Sequence, residues 1–203
     1  MISVIGLTGP TGAGKTTLCS IAAELGIKSI DTDAVYHSLL VPPSDCLDEL
    51  VREFGESILL PDGRLSRPAL AAIVFDKSDT EGARLRRLGE ITHKYVLDEA
   101  RKIIKAANAR GERAIIVDAP ALYESGFDKE CDAVICLLAD KGLRLGRIVS
   151  RDRLSEASAE ARIGGQKDDA FYSNRADYTL TNDGDVEALR QRLAEILYNR
   201  GLI

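Results

Sequence analysis

The stretch Gly9-Pro10-Thr11-Gly12-Ala13-Gly14-Lys15-Thr16 satisfies G-x-x-x-x-G-K-[ST], a spacing whose chemistry is the cradling of phosphate. Glycines let successive backbone N–H groups turn toward an anion, and a helix that starts at once adds its positive N-terminal end. In such a loop Lys15 reaches the β- and γ-phosphates and the Thr16 hydroxyl ligates Mg²⁺, while Gly12, Ala13, Gly14 and Thr17 complete the nucleotide contact. The loop alone does not separate a kinase from a GTPase switch, an ATP-driven motor or a nucleotide-binding regulatory module. A guanine-reading N-K-x-D box is absent from the chain, and its 203 residues leave little room for motor attachments. Small-molecule kinases are therefore the leading class. Within that class a kinase acting on a nucleoside, nucleotide or sugar acid is the nearest rival reading; outside it stands the regulatory module, disfavoured by an acceptor base and an arginine-bearing lid that a sensor does not need.

Carboxylates decide which reaction such a loop serves. Asp31 and Asp33 follow the apolar run Ile27–Ile30, so they stand at a strand's carboxyl edge, where ligands bind in open α/β sheets. Asp33 suits the carboxylate that orients an acceptor hydroxyl and receives its proton. The alternative is a helix cap, since Asp33 precedes a helical-looking Ala34–Leu40; for Asp31, capping or support is the primary reading. Asp118 ends the apolar run Ala114–Val117, either holding Mg²⁺ through water or marking a surface turn before Pro120.

Arg144, Arg147 and Arg151 are spaced to share one helix face, and Arg153 and Arg162 follow. Such a stripe is either a solvated basic face or the helix leading into a lid, where one arginine stacks on adenine and the next touches phosphate. Ser155–Gln166, with Gly164-Gly165, reads as that mobile lid. His93 lies inside a helical pattern and reads first as a surface or capped histidine.

These residues need a scaffold, and hydrophobic periodicity supplies one. Ile2–Leu7, Ile27–Ile30, Ala114–Val117, Ala133–Leu138 and Tyr178–Leu180 are short apolar runs of buried-strand length. Helical spacing runs through Thr17–Leu25, with Gly26 placed as its C-terminal stop. Strands alternating with helices predict a doubly wound α/β fold with a parallel sheet. The segment from about Ala34 to Arg110 holds helical patterns at Cys46–Phe54, Arg67–Phe75 and Ala83–Ala107 and no convincing strand. It reads as a helical insertion that builds a second substrate pocket.

Composition narrows the partners. The formal charge of −5 argues against a nucleic-acid backbone as the main ligand. Four cysteines without a C-x-x-C pair and only two histidines argue against a zinc cluster or disulfide scaffold. The N-terminal apolar run stops at Gly9-Pro10, short of a signal peptide or membrane span, so a cytoplasmic protein without a membrane partner is expected.

Taken together, the chain resembles the dephospho-coenzyme A kinase family from end to end. The likeness is carried by Leu7-Thr8-Gly9 with Gly12 and Gly14-Lys15-Thr16-Thr17, then Leu25-Gly26 and Ile30-Asp31-Thr32-Asp33. It continues through Asp62-Gly63-Arg64-Leu65-Ser66-Arg67, Leu70, Val74-Phe75, His93 and Ala119-Pro120-Ala121-Leu122-Tyr123-Glu124-Ser125-Gly126. It closes with Arg147, Arg151-Asp152, Arg162, Gln166 and Asn182-Asp183-Gly184. The resemblance implies a P-loop kinase fold: a five-stranded parallel sheet flanked by helices, with a core over 1–33 and 111–203, a helical acceptor-binding insertion over about 34–110 and a lid over about 152–170. It implies ATP and dephospho-CoA as substrates and Mg²⁺ as cofactor, with Asp33 as base on the ribose 3′-hydroxyl and Lys15 and Arg151 catalytic. Arg147, Arg151 and Asn182 are implied on the ATP side, and Arg64, His93, Pro120 and Leu122 on the acceptor side. The chain departs from the family's usual residues at Lys94, Ala121, Tyr123 and Arg144, where Pro, Leu, Phe and Gln are expected.

Overall fold

The computed structural model describes residues 1–76 and 78–203. In chain order, β1 is Ser3–Thr8, α1 Lys15–Glu24, β2 Lys28–Asp31, α2 Thr32–Ser38, α3 Asp45–Phe54, α4 Arg67–Val74 and α5 Ala83–Ala109. There follow β3 Ala114–Asp118, β4 Ala133–Leu138, α6 Lys141–Asp152, α7 Glu156–Gly164, α8 Asp169–Ser173, β5 Tyr178–Thr181 and α9 Val186–Asn199. The five strands form one sheet in the order β2-β3-β1-β4-β5. The β1–β3, β1–β4 and β4–β5 pairs are parallel.

Strand β1 lies at the centre because both its faces are apolar, and its neighbours fix where its end points. Leu7 pairs with Asp118 of β3 and Thr8 with Cys136 of β4, so the loop after Thr8 emerges between two strand ends. The chain leaves β1 through α1 for β2 on one side, whereas it leaves the adjacent β3 for β4 on the other, and this divergence opens a crevice at the carboxyl ends of β1 and β3.

The chain divides into two compact units, Met1–Ile30 with Ile104–Ile203, and Asp31–Ile103. In the first, Ile5 and Leu7 of β1 pack with Leu18 and Ile21 of α1, Ile116, Ile135 and Leu137 of the flanking strands, and Leu189, Leu193 and Leu197 of α9. Also in this unit, α7 lies on α6 through Ala159 and Ile163 against Ile148. The second unit has its own core of Leu40, Cys46, Leu50, Ile58, Leu70, Val74 and Ile91. Its helices begin on side-chain caps: Ser44 accepts from Leu47 N–H and Ser66 from Ala69 N–H, with Pro68 in the first turn where its missing N–H costs nothing. Extended structure within this unit, apart from the Asp31 end of β2, is limited among the described residues to a bridge between Leu59 and Leu65. No helix among the described residues is long and apolar enough to cross a membrane.

Candidate active site

The loop between β1 and α1 has a conformation that only its glycines allow. Gly9 sits at φ 138°, and a Cβ there would fall 2.2 Å from the Leu137 carbonyl oxygen. Gly14, at φ 98°, is the residue before α1. The helix therefore starts at Lys15, two residues ahead of the sequence expectation, because a left-handed residue makes a stop that apolar spacing does not register.

Three consecutive loop carbonyls are held from outside the loop. Arg144 Nε donates to the Thr11 carbonyl at 3.2 Å, and Arg147 Nη1 to those of Gly12 and Ala13 at 3.1 and 3.4 Å. Asn182 Nδ2 donates to the Ala13 carbonyl at 2.8 Å, and Arg147 Nη2 to the Asn182 carbonyl at 3.0 Å. In a planar trans peptide the C=O and the following N–H point in opposite directions. Fixing these carbonyls toward α6 and β5 thus aims the N–H groups of Gly12, Ala13 and Gly14 the other way; that of Ala13 meets the Pro10 carbonyl at 3.3 Å. Lys15 is folded over the loop, its Nζ donating to the Gly9 carbonyl at 2.9 Å.

Beside the loop lies a cleft of about 480 Å³ lined by Gly12, Gly14, Thr16, Thr17, Gly146, Arg147, Ser150 and Arg151. Gly146 and Ser150, one helical turn apart, leave a floor of small side chains on α6. At its rim Arg151 grips Asp152 with two bonds, 2.7 and 3.0 Å, and Arg162 of α7 binds the same carboxylate. Arg151 first, and Arg162 with it, holds the Asp152 carboxyl below the usual carboxylate range.

Several sequence expectations change here. The arginine stripe divides: Arg144 is 5% exposed and Arg147 half-buried, both turned onto the loop, while Arg151 is exposed. Asn182, expected at ATP, is 4% exposed with its amide committed to Ala13, so it shapes the loop from behind. Leu122, expected at the acceptor, is fully buried and packs its δ-carbons over Gly6 of β1; it is a core residue. Pro120 is exposed. Asp118 is the last residue of β3 rather than a surface turn, half-buried with one carboxylate oxygen out of solvent.

Thr16 and Asp118 are both oxygen donors, which suits a hard divalent cation. Among the described residues no three His, Cys, Asp or Glu gather as a metal cage. That donor set fits Mg²⁺, an ion that uses one or two protein oxygens and fills its octahedron with phosphate and water.

In the second unit, Asp31 and not Asp33 caps α2: its Oδ1 accepts from the N–H groups of Asp33 and Ala34 at 2.9 and 3.0 Å. Asp33 sits inside the first turn, so its carboxylate is not the cap. Tyr36 and His37, one turn further on, line a cleft of about 190 Å³ with Leu65, Arg67, Leu70, Val74, Phe75 and Leu88. Arg64 is exposed and turned to Asp62, pulling that carboxyl below its usual range. His93 is half-buried on α5, its ring against Gly89 one turn earlier, where a Cβ would stand 3.5 Å from the imidazole.

Sequence reasoning did not find the partners that hold the loop. Gln166 Oε1 accepts the Thr11 N–H at 2.9 Å and Asp169 pairs with Arg144 at 2.9 Å. Gln166 entered as the end of the lid segment and through resemblance, never as a partner of the loop, and Asp169 carries no local signal at all.

A parallel sheet with β1 at its centre and a glycine loop, lysine and helix at its carboxyl end defines a P-loop nucleotide-binding fold, and its relatives make it a kinase. A profile of the dephospho-CoA kinase family (CoaE) matches residues 3–188. A dephospho-CoA kinase of Corynebacterium efficiens is 36% identical over 95% of this chain and 96% of its own length, and one of Moorella thermoacetica 37% identical over 92% and 87%. Among solved structures, a Thermus thermophilus protein, TT1252, superposes with a TM-score of 0.78 at 29% identity, covering 98% of this chain and 97% of its own. The dephospho-CoA kinase from Campylobacter jejuni gives 0.68 at 26% identity over the whole of both chains. Shikimate kinase from Acinetobacter baumannii, at 22% identity and 0.52 and covering 100% and 97%, shares the fold. The chain belongs to the dephospho-CoA kinase family.

Proposed function

We propose that this kinase transfers the γ-phosphoryl group of ATP to the ribose 3′-hydroxyl of dephospho-CoA, releasing coenzyme A and ADP. The observation that carries the reading is the loop itself, three carbonyls fixed from behind and Lys15 over it, in a chain that matches the family across residues 3–188.

The loop N–H groups and the Lys15 ammonium hold the β- and γ-phosphates, and charge growing on the equatorial oxygens meets donors already oriented for it. The Lys15–Gly9 bond opens as the ammonium turns to phosphate. Arg147 keeps its Nη atoms on the loop carbonyls and lends its positive charge to the cleft it lines, and Arg151 moves from Asp152 to the transferring group. Thr16 and, through water, Asp118 would hold Mg²⁺, which when bound neutralises phosphate charge. On the acceptor side Asp33 receives the 3′-hydroxyl proton as the oxygen attacks phosphorus and the bond to the ADP oxygen breaks. Arg64, His93 and Pro120 contact the acceptor, and the apolar cleft beginning one turn from Asp33 on α2 takes part of its arm.

The test is incubation with ATP and Mg²⁺ against dephospho-CoA, adenosine, nucleoside monophosphates and shikimate, followed by mass analysis. Phosphate added to dephospho-CoA alone is expected. Phosphate on another acceptor and none on dephospho-CoA would replace the substrate while leaving the P-loop kinase in place.

A further inference from the structure

Arg144 stands where a charge is costly, and what it touches explains why it is there. Its guanidinium is almost wholly buried, whereas its ion-pair partner Asp169 is half exposed. Removing a cation from water for one half-exposed carboxylate is a poor exchange for stability alone. The planar fork makes a second bond, from Nε to the Thr11 carbonyl at 3.2 Å. The N–H of that same Thr11 is taken by Gln166 Oε1 at 2.9 Å. Thr11 is therefore held on both its backbone groups by side chains 133 and 155 residues away. The next residue leaves no slack, because a Cβ on Gly12 would lie 2.8 Å from the Arg144 carbonyl oxygen. Gln166 follows the end of α7 and Asp169 opens α8, so both holders belong to the return path from the lid helix to β5.

We propose that Arg144 is a positioning residue for ATP, acting through Thr11, and that Gln166 and Asp169 complete a device tying the phosphate loop to the base of the lid. The inference rests on the reading of the loop as the ATP site. A lysine in place of Arg144 has one point charge and no fork, and does not hold a carbonyl and a carboxylate together. A glutamine keeps a donor for Thr11 and loses the ion pair with Asp169.

The experiment measures KM for ATP, KM for dephospho-CoA, kcat, ADP binding by calorimetry and thermal unfolding for R144A, R144Q, Q166A and D169N. Loss of a hydrogen bond to a charged group predicts about a tenfold rise in KM for ATP and in the ADP dissociation constant for R144A. KM for dephospho-CoA stays within about twofold, since the change acts through the loop. Q166A, at a half-buried position, gives the same split with unfolding unchanged, R144Q falls between wild type and R144A, and D169N shows the R144A signature in weaker form. Equal rises in both KM values, or unchanged ATP and ADP parameters in a folded Q166A or D169N, would overturn the proposal even if R144A does not fold. Wild-type enzyme that binds ADP but leaves dephospho-CoA untouched would remove the acceptor reading, and the ADP measurements would still judge Arg144.

Discussion

The side-chain amide of Asn182 fills the space that a side chain on Gly14 would need: Nδ2 lies 2.1 Å from the ideal Cβ position. The amide is there because it donates to the Ala13 carbonyl, one peptide upstream. Gly14→Ala therefore meets two obstacles, a buried amide and a φ of 98°. Overpacking and left-handed strain together predict a loss of about 2–4 kcal/mol and an inactive loop. Adding Asn182→Ala should restore part of the stability and none of the activity, which thermal unfolding and turnover of the two variants will check.

Lys15→Ala should fold, since the ammonium's bond to the Gly9 carbonyl is partly exposed and replaceable by water. Turnover should fall roughly 10² to 10⁴-fold, the usual worth of an electrostatic clamp on developing charge. A variant keeping a third of wild-type kcat would remove Lys15 from the mechanism.

Arg147 and Arg151 differ in what they hold, so their alanine variants should differ. Arg147→Ala releases the Gly12 and Asn182 carbonyls and leaves that of Ala13 to Asn182 Nδ2; both stability and ATP affinity should drop, and lysine should not rescue because it lacks the fork. Arg151→Ala disturbs an exposed pair with Asp152, so unfolding should hardly move while kcat falls. Equal behaviour of the two in unfolding and kinetics would contradict the separation.

Asp31 caps α2, as its primary reading has it, and Asp33 does not. Asp31→Ala should cost about 1 kcal/mol through loss of the α2 cap. Asp33→Asn leaves that cap in place and removes a first-turn charge, worth about 0.3–1 kcal/mol. Its kcat should nevertheless fall by about 10² or more if the carboxylate takes the acceptor proton. Denaturant unfolding and 3′-phosphorylation of dephospho-CoA, measured side by side on both variants, separate the cap from the base; a fully active Asp33→Asn enzyme would take Asp33 out of the transfer step.

Three thiols set an alkaline limit. Burial pushes Cys46 up to about 11, and Cys131 and Cys136 up to about 12, from an ordinary value of 9.0. Above pH 9 the unfolded chain releases these protons while the folded chain keeps them, so stability is intact below pH 9 and declines as pH rises toward 11–12. A pH series of unfolding midpoints should show this decline, reduced when Cys136 is replaced by alanine. Alkylation of native protein at pH 8 should spare all three cysteines, as peptide mass mapping will reveal.

The phosphate loop, the order of strands and helices, and the place of Asp31 and Asp33 at the carboxyl edge of β2 were legible in the sequence because each is a local pattern. Glycine spacing, apolar runs and a lysine before a helix act within a few residues of one another, so their meaning survives without the rest of the chain. The α2 cap was only half legible: two aspartates separated by one residue both fit, and one hydrogen-bond geometry selected Asp31.

What tertiary structure alone decided was which side chains serve the loop. The arginine spacing on α6 is the same for a solvated face and for a clamp, and it became a clamp because β4 delivers α6 to the loop beside β1. Leu122 reads equally as pocket lining or core, and its burial over Gly6 follows from where β1 lies in the sheet. Asn182 and Gln166 reach loop residues 169 and 155 positions away, a distance over which no periodicity operates. The sequence by itself determined the chemistry of the phosphate loop, because backbone conformation and charge are set residue by residue. The fold decided how that loop is held, because contacts between remote side chains exist only once the strands have taken their order.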